Sequence, residues 1–193
     1  MKTVFFDIDT QLDFLYPAGA LYVPGAERVA PAIASLNRYA AAHGIPVVST
    51  MDAHSENDPE FQTWPPHCIA GTTGQHKAEA TLLERRVVVP NRPCMLALEG
   101  AQQIVVEKQN VDVFTVANLV RVLKALAGDA YVVYGVVTEI CVLFAARGLL
   151  KTGRPVTIVT DAVETLRRAD SDRVLAEFRA AGGRLALSSE IRL

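Results

Sequence analysis

Short apolar runs rich in β-branched residues alternate along this chain with stretches of helical period. This alternation restricts the fold more than any other feature. Strands that are apolar on both faces need a helical layer on each side, and successive parallel strands need a long crossover. The runs predict strands at 3–8, 45–49, 104–107, 130–134, 156–159 and 185–187, and helices at 26–42, 116–127, 139–151 and 171–181. Glycines in "AHG" and "KTG" stand where a helix end takes a left-handed residue. The expected architecture is an α/β fold: a three-layer α/β/α sandwich, Rossmann-like, with a mainly parallel sheet of about six strands. Residues 52–98 interrupt the pattern with Pro, Gly, His and Asn, and read as a long loop-dominated excursion of the kind that carries function.

With 193 residues, half of them hydrophobic, the chain is expected to form one domain, 1–193, with a well-buried interior. Acidic and basic residues are interspersed and the net charge is −2, which argues against a nucleic-acid partner. "MKTVFFDIDTQLDF" meets aspartates too early for the apolar core of a secretory signal. No apolar run approaches the ~18–20 residues of a membrane span, so the expected setting is cytoplasmic, with no membrane partner. Cys68, Cys94 and Cys141 are odd in number and irregular in spacing, and indicate neither a disulfide framework nor a paired-cysteine zinc site. An apolar helix face left at the surface would suit a homo-oligomer.

In an open parallel sheet, ligands bind beyond the carboxyl ends of the strands. Asp9 follows the first predicted strand, Asp52 and His54 the second, Lys108 follows "IVVE", and Cys141 follows "YGVVTEI". In the first turn of its predicted helix, Cys141 sits where free N–H groups favour a thiolate nucleophile; it reads equally as a small buried hydrophobe. Asp9 has the chemistry to take the thiol proton and return it to a leaving group, or simply to cap a turn. Lys108 fits a charge partner for that pair or an ordinary solvated strand-end lysine. Asp52 and His54, two apart in extended chain, point to one face, where His67 can return to meet them. One carboxylate and two imidazoles suit a divalent metal, zinc first, iron or manganese otherwise, with Asp58 or Glu60 as a further oxygen ligand. Satisfied loop histidines are the other reading. His43 and His76 read as surface residues, Cys68 as structural beside His67, and Cys94 as a loop residue.

The blocks "DTQLDF" (9–14), "DAH" (52–54), "WPPHCIAGTTG" (64–74), "EK" (107–108) and "GVVTEICV" (135–142) are spread over nearly the whole chain. Together and in this order they resemble the isochorismatase-like superfamily of cysteine hydrolases, and within it the nicotinamidases. The resemblance implies a catalytic triad of Asp9, Lys108 and Cys141, metal ligands Asp52, His54 and His67, and aromatic walls Phe14 and Trp64 around the substrate ring. It also implies a cis peptide between Val136 and Val137, with the N–H groups of Val137 and Cys141 forming an oxyanion hole. Gly135 would ease that bend and Thr138 would cap the helix behind it. The implied activity is metal-assisted hydrolysis of a small-molecule amide, nicotinamide to nicotinate and ammonia, through a cysteine thioester. After the lysine, the family's Ser-x-Phe-x-Gly-Thr segment is replaced here by "KQNVDVFTVANL". Phe114 is kept as a pocket wall, but the altered loop leaves another small amide or a ureide as an alternative substrate. A catalytically silent binding protein on the same fold is the contrasting class.

Overall fold

Runs of valine, isoleucine and phenylalanine become strands in this chain because both faces of the sheet are covered. The computed structural model of the protein describes residues 1–191, so the last two positions of the expected 1–193 unit lie outside the described residues. Among the described residues the strands are β1 (Thr3–Ile8), β2 (Val47–Asp52), β3 (Arg86–Val89), β4 (Gln103–Lys108), β5 (Ala130–Gly135), β6 (Val156–Val163) and β7 (Arg184–Ala186). They form one sheet in the order β3-β4-β2-β1-β5-β6-β7, and every neighbouring pair is parallel. The sheet thus has seven strands where about six were expected. The addition is β3, a four-residue edge strand inside the excursion, with Val88 exposed.

The helices are α1 (Leu12–Leu15), α2 (Ala30–Ala42), α3 (Ala117–Leu126), α4 (Leu143–Leu150) and α5 (Arg168–Ala180). Strand residues alternate between two cores. Val4, Phe6, Val48 and Ile104 pack with Leu119 of α3, Leu149 of α4 and Phe178 of α5. On the opposite face Phe5, Val47 and Val132 pack with Ile33, Leu36 and Ala40 of α2. This is the expected three-layer α/β/α sandwich, and each fully buried Phe, Ile or Leu contributes about 1.5–3 kcal/mol to it. Helix ends depart from the prediction in detail. The 26–42 segment opens with a separate tight turn at Ala26–Arg28, and Pro31 then occupies the first turn of α2, where its missing N–H costs nothing. Gly44 (φ +67°) and Gly153 (φ +75°) take the left-handed positions beyond α2 and α4. Among the described residues no helix is long and apolar enough to cross a membrane.

The chain leaves β1 towards β2 on one side and leaves β5 towards β6 on the other, so the connections diverge between β1 and β5. A crevice opens there at the carboxyl ends of the strands. In register, Ile8 faces Gly135 and Asp52 faces Lys108, which draws four strand ends to one rim.

Candidate active site

Lys108 closes β4 with its side chain buried, directly opposite Asp52 at the end of β2. Its ammonium lies 2.5 Å from Asp52 Oδ1, 2.9 Å from Asp9 Oδ2 and 3.8 Å from Cys141 Sγ. Burial works against a charged lysine, but Asp52 and Asp9 outweigh it and hold Lys108 protonated well above the usual lysine range. Burial lifts the Asp52 carboxyl to about 7 even with Lys108 beside it. A single ammonium therefore faces two buried carboxylates, a balance that is short of one cation.

Cys141 arrives from the other half of the sheet. β5 ends at Gly135 with φ +120°, where a Cβ would be driven into the Ile8 carbonyl, so only glycine lets β5 close on β1 at this level. The following Val136–Val137 peptide is cis. Thr138–Val142 form a π-helical turn that runs into α4, and Cys141 lies within this turn, buried, instead of in the first turn of a regular helix. Burial pushes its thiol well above the usual cysteine range; Lys108 opposes the shift, while Asp9 and Asp52 add to it. Burial thus favours the thiol over the thiolate that a helix end would favour, and Asp9 and the sulfur share the Lys108 ammonium.

Thr138 does not cap this turn. Its hydroxyl and its N–H both donate to the Glu164 carbonyl, at 2.8 and 2.9 Å. The neighbouring Glu139 carboxylate accepts from Thr165 Oγ1, Leu166 N and Arg167 N at 2.6, 3.0 and 3.1 Å. These bonds fasten the 164–167 strap to the nucleophile's turn, a role that no motif in the sequence announces.

Asp52, His54 and His67 come together with one donor atom each inside 4.8 Å of one another, and all three are buried. His67 Nδ1 donates to the Pro65 carbonyl at 2.8 Å, which leaves Nε2 with its lone pair, and burial holds this ring neutral. His54 Nε2 has no hydrogen-bond partner although its ring is fully buried, and it lies 4.0 Å from Asp52 Oδ2. An orphaned imidazole nitrogen, a carboxylate oxygen and a second lone pair converging on one point, beside an uncompensated carboxylate, fit a divalent cation. Asp58 Oδ2 lies 3.1 Å from His54 Nδ1, on the ring edge opposite Nε2 and out of line for a hydrogen bond. Glu60 faces the cleft itself, with its carboxyl raised by burial.

Groups that the sequence does not single out hold this constellation in place. Gln11 clasps the Asp52 backbone, accepting its N–H at 2.7 Å and donating to its carbonyl at 2.9 Å. Asp13 accepts the Cys68 N–H at 2.7 Å and so ties His67's neighbour to α1. Phe61 packs its ring 5.3 Å from that of His54 and 5.7 Å from that of His67.

Above these groups lies a cleft of about 430 Å³, counted out to its mouth, with Asp9, Asp52, His67 and Cys141 among its lining. Its walls are apolar: Phe14, Trp64, Val111, Val137, Ile140 and Leu166. A cleft with two aromatic walls, further apolar walls and polar groups at its floor suits one small planar ring with a polar substituent. Phe14 and Trp64 stand where they were expected, but Phe114 does not line the cleft. It packs against Gly148 of α4, and Val111 takes the wall position. Cys68 is fully buried with its thiol pushed far up by burial, Cys94 is half-buried beside Asn118, and His43 and His76 are exposed.

A parallel sheet between two helical layers, with its polar groups gathered at the switch point, defines a doubly wound three-layer α/β/α architecture. The chain belongs to the isochorismatase family: the family model, the Isochorismatase domain, matches residues 3–94 and 90–190. It is similar to the nicotinamidase/pyrazinamidase of Mycobacterium tuberculosis, 28% identical over 191 residues that cover 94% of this chain and 97% of the relative. Among solved structures, the pyrazinamidase of Pyrococcus horikoshii in complex with zinc superposes with a TM-score of 0.83 at 26% identity, covering 97% of this chain and 99% of the other. The N-carbamoylsarcosine amidase of Thermoplasma acidophilum gives a TM-score of 0.80 at 26% identity, covering 100% of both chains.

Proposed function

We propose that the protein, read as one hydrolase unit, is a metal-assisted cysteine amidohydrolase acting on a small aromatic carboxamide, nicotinamide first among them. The observation that carries this reading is the meeting of Asp9, Lys108 and Cys141, with the Lys108 ammonium 2.9 Å from the carboxylate and 3.8 Å from the sulfur. Asp9 takes the thiol proton as the sulfur attacks the amide carbon, and Lys108 stabilises the resulting charges. The N–H groups of Val137 and Cys141 hold the oxyanion. The C–N bond breaks as Asp9 returns the proton to the departing ammonia. Water then adds to the thioester, gives its proton to Asp9, and releases the acid and the thiol. A divalent ion held by Asp52, His54 and His67, zinc by preference and iron or manganese otherwise, would supply positive charge beside the carboxylates and a coordination position for a ring nitrogen.

Ammonia release from nicotinamide by the purified protein, run alongside elemental analysis, tests the reading. Release with one equivalent of metal per chain is the expected result. Metal without release would turn the search to other amides or to ureides. That second reading is favoured by Val111 standing in the cleft wall in place of Phe114 and by the likeness to a carbamoyl amidase. A Cys141 inert to alkylation and no turnover on either class would point to a binding protein.

A further inference from the structure

A second buried lysine lies behind the reacting groups, and the mechanism above gives it no part. Lys77 enters from the excursion, where its backbone bridges to Gln11, and its side chain is 1% exposed. Its ammonium donates to the Thr50 carbonyl at 3.0 Å and lies 3.4 Å from the fully buried Asp7. Asp7 is itself held by the hydroxyls of Thr10 and Ser49 and the amide of Asn37. The carbonyl pinned in this way belongs to the residue whose side chain grips Asp9.

Thr50 Oγ1 donates to Asp9 Oδ1 at 2.6 Å and accepts the Asp9 N–H at 3.1 Å. Both the proton and a lone pair of the hydroxyl are thereby assigned, so its rotor is fixed. Asp9 sits at φ +49°, a left-handed conformation that is uncommon outside glycine and that persists where surrounding bonds enforce it. With Oδ1 engaged, Oδ2 remains: it lies 2.9 Å from Lys108 and has no donor in line for a hydrogen bond, so a lone pair is left for the thiol proton. Thr50 does not line the cleft, and its hydroxyl reaches the reacting groups through its two bonds to Asp9.

We propose that Thr50 is a positioning residue whose hydroxyl, on a strand pinned by Lys77, turns Asp9 so that Oδ2 is presented to Cys141. The proposal rests on Asp9 and Cys141 acting as base and nucleophile, and its test separates the two. The readout is kcat and KM for ammonia release, from nicotinamide or from whichever amide or ureide the parent turns over, in the parent, Asp9→Asn, Thr50→Val and Thr50→Ser, with bound metal measured in each. A displaced base costs about 10- to 100-fold. The expected pattern is therefore a lowered kcat at unchanged KM in Asp9→Asn and Thr50→Val and a near-parental kcat in Thr50→Ser. Metal content should be unchanged in Thr50→Val. Thr50→Ala carries the same expectation should valine prevent folding.

A parental kcat in the folded Thr50→Val or Thr50→Ala, with Asp9→Asn impaired, overturns the positioning role alone. A low kcat in Thr50→Ser shows that the hydroxyl is not the active part and does the same. So does loss of metal in Thr50→Val, which would place the effect at Asp52. A parent that turns over neither amide nor ureide, or an Asp9→Asn that matches the parent, sinks the base and nucleophile reading and this inference with it.

Discussion

A lysine is the least expected side chain to find wholly buried, and Lys108 is buried between two carboxylates and a thiol. Removing it leaves both acids without their counter-charge, whereas removing the thiol leaves only a small gap. Lys108→Met is therefore expected to lose about 3–5 kcal/mol of stability together with activity, read from urea midpoints. Cys141→Ala is expected to keep its midpoint near the parent's and release no ammonia; residual turnover in that variant would rule out the sulfur as nucleophile. These residues were legible in the sequence because each closes a strand or opens the next segment, inside a short block of recognisable pattern. Thr50, Gln11 and Asp13 were not. Their partners lie 41 to 55 positions away in sequence, and no local pattern reveals which polar group a strand residue meets across the sheet.

The elements explain why those blocks converge. β5 ends in a bend that depends on Gly135, where a side chain would meet both an unfavourable positive φ and the Ile8 carbonyl. Gly135→Ala is expected to lower stability by at least ~1–3 kcal/mol and to displace the Cys141 turn, with activity lost; an unchanged urea midpoint would mean that the bend relaxes freely. The strap is the other adjustable part, since Glu139 binds the segment that carries Leu166 to the edge of the cleft. Glu139→Ala is expected to raise KM more than it lowers kcat, because it loosens a wall and leaves the reacting groups in place. An equal KM would deny the strap a role in binding. Strands apolar on both faces were legible as runs, but β2 extends to Asp52 through Ser49 and Thr50, which are buried for their hydrogen bonds and invisible to hydropathy. β3 was hidden for a different reason. A four-residue edge strand with exposed positions, set among prolines and asparagines, has too little periodicity to stand out. Phe114 was misplaced because an aromatic residue near a site satisfies a pattern equally well when it packs against a helix glycine.

At the scale of the molecule, the putting together of Asp52, His54 and His67 depends on folding, since the first closes a strand and the others sit in loops fastened by Gln11 and Asp13. An ion bound there binds the folded chain and not the unfolded one, so it adds stability by mass action. At a hundredfold excess over Kd that is ~2.7 kcal/mol. For a chain of this length each kcal/mol shifts the thermal midpoint by about 2–4 °C, so chelation should lower it by about 5–10 °C. Part of the shift comes from the two buried carboxylates, which keep only Lys108 once the cation is gone. His54→Ala should begin near the chelated parent's midpoint and respond little to chelator, with metal content reduced to match. Equal responses in the two proteins would place the ion elsewhere. A drop in the parent without any metal detected by elemental analysis would assign the chelator's effect to something other than this cluster.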